Sequence, residues 1–362
     1  MESMSLCDGD GVLLVRLGAV GDVVRTLPCL APLRRVAPGI RLGWVVEAPS
    51  AALLPGRPWL DDVFIFPRGA LRPARLLRAP VRGRRAFRDF ITRVRAFRPG
   101  LSVDFQGSAK SSLLGWLSGA PLRLGFDRTG AREGSFLLSN IRIHPSSARL
   151  NRVQKNLELL RPVAPEVYPL EFPFRSDRPS EKVARFLETF GDRIRVAVHP
   201  GTSRRQNHKQ WPAENYARLV ACFRREGWVP ILTWGPGEED LLSTIQALSG
   251  HSGVPTPPLD LEEMRQILAA CHLFVGGDTG PMHLAWSQGV PVVVLFGSTD
   301  PLINGPMGGG HRVIAPAWEG NRRPPVRGDR SAIRRIEPEA VMQAAFDLLS
   351  SRKGAGAGAP SR

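Results

Sequence analysis

Gly276-Gly277-Asp278-Thr279-Gly280-Pro281-Met282-His283-Leu284-Ala285-Trp286 lies between two apolar stretches, residues 273–275 and 290–296. The pattern predicts a buried strand, a glycine turn, a helix that begins near Thr279 and a second buried strand. A helix start leaves several backbone N–H groups unpaired and carries partial positive charge, so it is suited to bind an anion such as phosphate. Asp278 and Thr279 could instead simply cap the helix, and this segment alone leaves both interpretations open.

Strand-like and helix-like patterns alternate along both halves of the chain. The first half has predicted strands at 12–16, 40–46, 63–66, 101–104 and 122–125, and the second at 195–199, 229–233, 273–275 and 291–296. The predicted helices between them include 22–36, 85–97, 109–117, 213–226, 238–248 and 261–270. Such alternation requires parallel sheets that helices cover on both faces. The sequence therefore predicts an α/β protein with two parallel sheets.

The two halves are separated by a segment of different composition. Residues 161–180 are rich in proline and have little periodicity, which is typical of a connection between domains. We therefore expect an N-terminal α/β domain over 1–165, a linker over 166–180 and a C-terminal α/β domain over 181–350. Residues 351–362 form a low-complexity tail that is predicted to be disordered.

The composition is that of a globular protein long enough for two domains. The chain has 362 residues, of which 43% are hydrophobic and 23% charged. No stretch reaches the ~18 apolar residues of a membrane span, and the segment before the first predicted strand has no secretory pattern. We therefore expect the protein in the cytoplasm. The 4 cysteines lack the spacing of a zinc site or of a disulfide framework.

Basic residues are in marked excess. The chain has 49 Lys and Arg against 33 Asp and Glu, a formal charge of +16, with much of the excess in residues 68–98 and 322–335. Such an excess favours anionic partners. Because the chain has only 2 tyrosines and no recognisable nucleic-acid-binding motif, nucleic acid is not expected as the partner. An anionic membrane surface and ordinary solvated charge remain as interpretations.

A glycine-rich turn follows the first predicted strand. Gly18 and Gly21 allow the backbone to bend sharply and to approach a ligand, and Asp22 lies near the first turn of the next predicted helix. Ligands of open parallel sheets bind at the carboxyl ends of the strands, which is where this turn lies. Asp22 could equally be a helix cap. The turn lacks both the Gly-x-Gly-x-x-Gly pattern and a Walker lysine.

A third polar turn, Gly201-Thr202-Ser203, follows the predicted strand 195–199 and precedes Lys209. Hydroxyls, glycine N–H groups and a nearby lysine suit a pyrophosphate, which needs both hydrogen bonds and countercharge. We interpret His199 as a strand-end histidine whose ring is satisfied by backbone groups.

Four groups of residues occur in a fixed order along the chain. They are Val12-Leu13-Leu14-Val15-Arg16 with Gly18-Ala19-Val20-Gly21-Asp22, Asp104-Phe105-Gln106-Gly107 with Lys110-Ser111, Gly201-Thr202-Ser203 with Lys209-Gln210-Trp211-Pro212, and Asp278-Thr279-Gly280 with His283-Leu284-Ala285 and Phe296-Gly297-Ser298-Thr299-Asp300-Pro301. Together they resemble glycosyltransferase family 9, whose best-known members are the ADP-heptose:lipopolysaccharide heptosyltransferases. The resemblance covers nearly the whole chain except the tail.

The resemblance implies a GT-B enzyme, in which two Rossmann-like domains with parallel sheets face one another across a cleft. It implies that the N-terminal domain binds the acceptor, that the C-terminal domain binds a nucleotide-sugar, and that transfer inverts the anomeric carbon without a metal or another cofactor. Asp22 matches the family's general base, which takes a proton from the acceptor hydroxyl. Lys209 matches the donor-phosphate lysine, which counters the charge on the departing diphosphate. The implied donor is ADP-heptose, and the implied acceptor is an anionic lipid-linked glycan of lipopolysaccharide core or a related surface glycan.

Further site residues follow from the resemblance and from residue chemistry. The implied donor contacts are Thr202, Ser203, Asp278, Thr279, Gly280 and His283, with Glu238 or Glu239 on the ribose, and the spacing does not choose between the two. The acceptor candidates are Gly18, Gly21, Gln106 and Lys110, together with Arg123, Arg128 and Arg132, because guanidinium groups bind phosphate oxygens in pairs. A lipid-linked acceptor further predicts peripheral contact between residues 68–98 and the anionic inner membrane.

Two other classes of protein share parts of this pattern. A non-catalytic nucleotide-sugar or polyanion-binding protein could have the same fold, since fold alone does not establish chemistry. The presence of both Asp22 and Lys209 disfavours that class. A nicotinamide-dependent oxidoreductase is disfavoured because the glycine fingerprint is absent.

Overall fold

The structure is a computed structural model that describes residues 5–71, 80–166, 169–174, 178–316 and 328–355. The chain divides into two compact units, Met1–Ser176 and Asp177–Arg362. The division falls within the segment 166–180 that was predicted as a linker. Of the two basic segments, 68–98 is described except for 72–79, and only 328–335 is described of 322–335. Among the described residues, no helix combines the length and the apolar character of a membrane span.

In the first unit, the described residues form a six-stranded parallel sheet in the order β3-β2-β1-β4-β5-β6. The strands are β1 (Gly11–Val15), β2 (Arg41–Glu47), β3 (Asp62–Phe66), β4 (Leu101–Asp104), β5 (Leu122–Phe126) and β6 (Ile141–Ile143). The helices are α1 (Val20–Val24), α2 (Leu30–Val36), α3 (Ala48–Ala51), α4 (Pro80–Ala96), α5 (Ala109–Leu117) and α6 (Arg152–Leu159), with 3-10 helices at Leu27–Cys29 and Ser135–Leu138.

The central strand β1 shows why the sheet is covered on both faces. Its side chains alternate, so Val12 and Leu14 pack into one apolar core and Leu13 and Val15 into the other. All four are completely buried. A near-continuous apolar strand of this kind is stable only where helices exclude water from both faces of the sheet.

In the second unit, the described residues form another six-stranded parallel sheet, in the order β12-β11-β10-β7-β8-β9. The strands are β7 (Arg195–His199), β8 (Val229–Leu232), β9 (Val254–Pro255), β10 (Leu273–Gly277), β11 (Val292–Leu295) and β12 (Arg312–Ile314). The helices are α7 (Glu181–Glu188), α8 (Ala213–Arg225), α9 (Glu239–Leu248), α10 (Leu261–Ala269), α11 (Gly280–Ser287), α12 (Pro301–Asn304), α13 (Ser331–Arg334) and α14 (Pro338–Ala355), with a 3-10 helix at Arg204–Lys209.

The core of the second unit is organised around an aromatic pair. Trp211 is completely buried, and its ring packs edge-on against Tyr216 with centroids 5.0 Å apart. The Trp211 indole Nε1 donates to the Ile336 carbonyl oxygen at 2.9 Å, which satisfies the polar atom of this ring. The segment that follows Lys209 is thereby fixed to the core.

The prediction of two parallel sheets is confirmed, but the sequence indicated too few strands. The patterns missed β6, β9 and β12, which are three, two and three residues long. Each lies at an edge of its sheet, where one side has no neighbouring strand. So short a strand contains too few residues for a period-two pattern to be recognised.

The helix predicted over 22–36 is wrong, because the chain forms α1, a 3-10 turn and α2 instead. Pro28 lies in the 3-10 turn and has no N–H to donate to a continuous helix. The Thr26 hydroxyl donates to the Asp22 carbonyl oxygen at 2.8 Å, which ends α1 locally. Asp22 therefore lies in a five-residue helix that directly follows β1. At the other end of the chain, α14 continues to Ala355, and 356–362 of the predicted disordered tail lie outside the described residues.

Both sheets have the same strand order. In each, the chain adds strands first on one side of the starting strand and then on the other, so the order of the strands reverses at one point, the reversal point. In the first unit, the chain leaves β1 towards β2 and later returns to β4 on the other side of β1. In the second unit, β7 and β10 are the corresponding neighbours. Because loops diverge on either side of such a reversal, ligands of doubly wound sheets bind beside the carboxyl ends of these two strands.

Candidate functional site

Asp22 lies at the reversal point of the first unit, between two arginines. Its carboxylate pairs with the Arg16 guanidinium at 2.7 Å and with the Arg25 guanidinium at 2.7 Å. Burial by itself would raise the pKa of Asp22, but Arg16, Arg25 and Arg152 outweigh it and hold that pKa well below its usual range. Asp22 is therefore an ionised, rigidly held carboxylate that remains partly open to solvent.

The loop after β4 is tied to the loop after β1. The Arg16 guanidinium donates to the Phe105 carbonyl oxygen at 2.7 Å, and the Leu17 N–H donates to the Gln106 side-chain oxygen at 3.0 Å. Gln106, predicted to bind the acceptor, therefore holds the two loops together at the reversal point. The backbone N–H groups of Gln106 and Gly107 both donate to the Asp104 carboxylate, and burial raises the pKa of Asp104 to about 6.

The two glycines predicted in the acceptor region have different surroundings. A side chain added to Gly18 would meet no atom within 4 Å, so the space beside this backbone is open. Gly21 is buried in α1, and its carbonyl oxygen accepts from the Arg25 side chain at 3.2 Å. Gly18 therefore borders space that a ligand can occupy, whereas Gly21 helps to fix Arg25 beside Asp22.

Three more cations belong to this region. Arg152 and Lys155 lie on α6, which the sequence did not indicate, and Arg132 lies close to both; Arg152 is the one whose charge lowers the pKa of Asp22. Burial, followed by repulsion from Arg152 and Arg132, lowers the pKa of Lys155. The Lys155 Nζ also donates to the Gly130 carbonyl oxygen at 3.0 Å. Arg132, a predicted acceptor residue, donates to the Gln106 carbonyl oxygen at 3.3 Å. The arrangement concentrates positive charge beside the Asp22 carboxylate.

The signal that could have revealed α6 is short. Asn151 caps the helix by accepting from the Val153 N–H at 3.0 Å, and the buried positions Val153, Asn156 and Leu159 recur every three residues. An Asn before this spacing is typical of a helix start. The cations that point away from the buried side are then the candidates for contact with a ligand.

The other predicted acceptor residues do not all join this group. Arg128 is exposed on the loop that follows β5. Lys110 lies in the first turn of α5 and pairs with Glu47, at the end of β2, at 3.2 Å. Arg123 lies near the start of β5, paired in register with Ser102. It is therefore at the amino ends of the strands, whereas Asp22 lies beyond their carboxyl ends.

The Arg123 guanidinium has a structural use at the amino ends of the strands. It donates to the carbonyl oxygens of Leu138 at 2.8 Å, Ala120 at 3.2 Å and Pro121 at 3.3 Å. Its donors are thus engaged in joining two loops. The prediction that Arg123 binds an acceptor phosphate beside Arg128 and Arg132 is therefore corrected.

The reversal point of the second unit contains a buried ion pair. Lys209 Nζ lies 2.7 Å from the Asp278 carboxylate, and His283 Nε2 lies 3.6 Å from its other oxygen. All three side chains are almost fully buried. Burial by itself would raise the pKa of Asp278, but His283 and Lys209 outweigh it and hold that pKa well below its usual range. Asp278 therefore remains charged and fixes the ammonium group of Lys209.

Helix α11 begins directly after this ion pair without a side-chain cap. Thr279 occupies the N-cap position in extended conformation, and its side chain forms no capping hydrogen bond. Its hydroxyl instead lies 3.4 Å from the Gly277 carbonyl oxygen. The interpretation of Asp278 and Thr279 as mere caps therefore fails. Pro281 has no N–H, so the first-turn N–H groups of Gly280 and Met282 are the ones left for a ligand, and the helix start favours an anion.

Hydroxyl groups without partners lie at the carboxyl ends of β7 and β11. The buried side-chain oxygens of Thr202, Ser298 and Thr299 have no hydrogen-bond partner within the described part of the chain. Ser203 precedes the 3-10 helix and is exposed. Buried hydroxyls are normally hydrogen-bonded, so these three indicate a polar ligand. Ser298 and Thr299 were quoted in the sequence pattern without a role.

Glu238 and Glu239 are distinguished by their positions. Glu238 accepts from the Gly235 N–H at 2.7 Å, and a side chain added to Gly201 would lie 2.1 Å from its carboxyl group. Burial raises the pKa of Glu238. Glu239 is exposed in the first turn of α9. Glu238 is therefore the carboxylate that lies beside the Gly201 turn.

His199 has the structural role that its position at a strand end indicated. Its Nδ1 lies 3.1 Å from the Thr233 hydroxyl, and burial lowers the pKa of His199 to about 4. Among the residues that the structure describes, no group of three or more His, Cys, Asp or Glu side chains is arranged to hold a metal ion.

The chain has two α/β units whose parallel sheets share one strand order, and each has polar groups at its reversal point. This architecture is that of the GT-B class of α/β proteins. The family model for glycosyltransferase family 9 (heptosyltransferase) matches residues 88–322. Lipopolysaccharide heptosyltransferase 1 of Pseudomonas aeruginosa is 30% identical over 300 residues, covering 82% of this chain and 81% of the relative. The Escherichia coli K12 protein of the same name is 28% identical, and the match covers 81% of this chain and 90% of that relative. The chain belongs to glycosyltransferase family 9 and is a glycosyltransferase, so the resemblance is confirmed.

Solved structures support the same fold. The glycosyl transferase family 9 protein from Veillonella parvula superposes with a TM-score of 0.76 at 19% identity, covering 96% of this chain and 99% of that chain. E. coli heptosyltransferase WaaC with ADP gives a TM-score of 0.69 at 23% identity, covering 94% and 98%. The predicted GT-B fold is therefore confirmed.

The buried ion pair generates a test that separates folding from ligand binding. We expect Lys209→Ala to destabilise the protein by about 3–5 kcal/mol, because it leaves the buried Asp278 carboxylate without its lysine partner. Lys209→Ala combined with Asp278→Asn should recover most of the stability, since the uncompensated charge is gone. Denaturant unfolding at neutral pH measures both, because a carboxylate of lowered pKa contributes its stability above about pH 4 and loses it as the pH falls.

The double variant then tests the lysine itself. If Lys209 contacts a diphosphate, ADP binding measured by calorimetry should remain weak in the double variant although its stability has recovered. Recovery of both stability and ADP affinity would remove Lys209 from the ligand site and leave it a structural role only.

Proposed function

We propose that this protein is an inverting glycosyltransferase that needs no metal ion and transfers heptose from ADP-heptose to a lipopolysaccharide-core or related acceptor. The observation that carries the proposal is the uncapped start of α11 beside the Lys209–Asp278 pair. Positive backbone groups and a fixed ammonium ion meet there at the reversal point of a doubly wound sheet. This combination suits a diphosphate whose charge increases as the sugar leaves.

The names of relatives support the choice of donor and acceptor. Curated relatives are lipopolysaccharide heptosyltransferases, and one of them covers the chain at 30% identity. Solved relatives of the same fold are described as heptosyltransferase WaaC with ADP and with ADP-2-deoxy-2-fluoro heptose. We transfer the donor class from these proteins to the second unit of this chain.

The donor is assigned to residues of the second unit. Lys209 and the N–H groups of Gly280 and Met282 counter the diphosphate charge, and the hydroxyls of Thr202, Ser298 and Thr299 are available as hydrogen-bond donors to its oxygens. Glu238 is assigned to the ribose hydroxyls, because it lies at the Gly201 turn whereas Glu239 is exposed. Ser203 and His283 complete the assigned contacts.

Asp22 is assigned the role of general base, which accepts the proton of the acceptor hydroxyl. The hydroxyl oxygen attacks the anomeric carbon, its proton passes to Asp22, and the bond from that carbon to the diphosphate breaks with its electron pair on the nucleoside diphosphate. A carboxylate with a strongly lowered pKa is a weak base in the ground state. It can orient the hydroxyl throughout and accept the proton late, when bond formation has made that hydroxyl acidic.

The cations near Asp22 are assigned to an anionic acceptor. Arg152 acts on the Asp22 carboxylate, and Arg132 and Lys155 lie close to Arg152. Guanidinium groups bind phosphate and carboxylate oxygens in pairs. Arg128 and Lys110 extend the basic surface at the same edge of the sheet. An acceptor carried by a lipid also implies that the protein works at the cytoplasmic surface of an anionic membrane.

The central test is transfer by the purified protein. ADP-heptose and a lipopolysaccharide-core acceptor should yield a product whose mass increases by one heptose, whereas GDP- and UDP-sugars should not serve as donors. Donor binding without any transfer to core acceptors would favour the alternative, a non-catalytic nucleotide-sugar-binding protein of the same fold.

Asp22→Asn should lower turnover by about 10²–10⁴-fold, because it removes the proton acceptor and preserves the size of the side chain. ADP affinity should be unchanged, since the donor binds the other unit. Asp61→Asn is a matched control: Asp61 pairs with Arg34 at 2.8 Å near the start of β3. It should lose stability without loss of turnover. A decrease of less than about tenfold in Asp22→Asn would place the base elsewhere.

Gly201→Ala should weaken donor binding about tenfold with little loss of stability, because the new methyl group displaces only the flexible end of Glu238. Glu238→Gln should weaken binding by a similar factor, and the two changes together should be less than additive. Glu239→Gln is the matched control and should bind ADP like the unchanged protein. Additive effects in the double variant would show that Gly201→Ala does not weaken donor binding by displacing Glu238.

Transfer should continue in excess EDTA, because Lys209 and the start of α11 supply the positive charge that a divalent cation would otherwise provide. The measurement is the initial rate with and without chelator, followed by added magnesium. Loss of activity that magnesium restores would contradict this part of the proposal.

A further inference from the structure

Helix α5 exposes large apolar side chains on the side that faces away from the sheet. Trp116 is 52% exposed, and Leu113, one turn earlier on the same side, is 42% exposed. On the inner side of the helix, Leu114 packs into the apolar core with Phe90 and Ile91 of α4. A half-exposed tryptophan forgoes much of the stabilisation that burial of its ring would give, so its position calls for an explanation.

Two more exposed apolar side chains come from elements that contact α5. The 3-10 helix Ser135–Leu138 packs against α5 and carries Leu137, which is 69% exposed. Leu122, also exposed, begins β5 directly after the turn that leaves α5. Arg123 joins β5 to the 3-10 helix through the Leu138 carbonyl oxygen. Single exposed apolar residues are ordinary, but a group on adjoining elements indicates an interaction surface.

Helix α4 places arginines beside this apolar group. Arg95 Nε donates to the Leu117 carbonyl oxygen at 2.8 Å, so α4 and α5 lie next to each other. Arg84, Arg88 and Arg95 are exposed and recur at spacings of four and seven residues, which places them on one side of α4. Arg95 identifies that side as the one next to α5.

Acidic groups near this surface are few among the described residues. Asp89 lies 3.8 Å from Arg85 and 3.8 Å from Arg88, and exposed pairs of this kind neutralise little charge. Glu133 accepts from the Ala109 N–H at the start of α5, at 3.2 Å. Helix α4 itself has six arginines and one acidic residue. The surface therefore combines net positive charge with exposed tryptophan and leucine.

We propose that Arg84, Arg88, Arg95, Leu113 and Trp116 form a docking surface, the α4–α5 surface, for an anionic lipid bilayer. The proposal deepens the membrane contact proposed above, in which only the charge of residues 68–98 was considered. Trp116 and Leu113 insert among the lipid headgroups and acyl boundary, where an amphipathic ring is stable. The arginines contact the headgroup phosphates. Nucleic acid would engage the arginines but leave the tryptophan and leucines without an apolar environment.

Sedimentation with phosphatidylcholine vesicles, with and without phosphatidylglycerol, tests the proposal on the full chain. Trp116→Ser should weaken binding to the phosphatidylglycerol vesicles about tenfold, because the ring no longer buries its apolar area. Replacement of Arg84, Arg88 and Arg95 by serine should weaken it ~fivefold for each arginine at low salt, and added salt should reduce the difference. Leu137→Ser provides a second apolar variant should Trp116→Ser fold poorly.

Matched controls come from the second unit. Leu248→Ser removes an apolar side chain that is 54% exposed, and replacement of Arg224 and Arg225 by serine removes two exposed arginines. Neither control should change vesicle binding. Unchanged binding after the apolar replacements on the α4–α5 surface, or loss of affinity for nucleic acid alone after the arginine replacements, would overturn the proposal.

Transfer to a soluble acceptor fragment separates this inference from the proposed function. All the surface variants should transfer heptose to the fragment at the rate of the unchanged protein. If the unchanged protein binds vesicles through this surface but transfers no heptose, the proposed function fails and the docking surface stands. If the unchanged protein transfers heptose and the variants bind vesicles normally, the proposed function stands and the docking surface is overturned.

Discussion

The site in the first unit depends on one buried charge. Arg16 directly follows β1 in an almost fully buried position, and a guanidinium there is destabilising by several kcal/mol unless its charge is paired. It pairs with Asp22 and donates to the Phe105 carbonyl oxygen. These contacts fix the direction of Asp22 and join the loops after β1 and β4. Without Arg16, the carboxylate and the loop that borders the open space beside Gly18 would have no common anchor.

The second unit solves a similar problem with the charges exchanged. There the buried carboxylate, Asp278, is the anchor, and it holds Lys209 immediately before an uncapped helix. Each unit thus orients a charged group through a partner of opposite charge before any ligand binds. Such preorganisation reduces the rearrangement required during the reaction, which is how charged groups contribute most to catalysis. The local stability of both units and their proposed chemistry consequently rest on the same ion pairs.

The sequence predicted the architecture well because buried parallel strands are long apolar runs. It singled out Asp22 and Lys209 because they lie in recognisable turns, and their roles stay predictions. Other features required tertiary contacts. The helix Arg152–Leu159 has only a short sequence signal, so the cations that it contributes to this region became apparent only from packing. Arg123 resembled a phosphate ligand by residue type, yet its register places it at the amino ends of the strands. The choice between Glu238 and Glu239 likewise depended on which side chain turns towards Gly201, a direction that spacing does not encode.

The short edge strands have a consequence for how folded molecules behave towards one another. Exposed strand edges can pair with those of other molecules, and this hazard grows with the number of free backbone groups. Within the described residues, β6, β9 and β12 end three sheet edges after two or three residues each. Only β3 offers a longer edge, and it begins with Asp62. Once each sheet has formed, it therefore offers little template for intermolecular β-pairing, even though its central strands are rich in apolar residues.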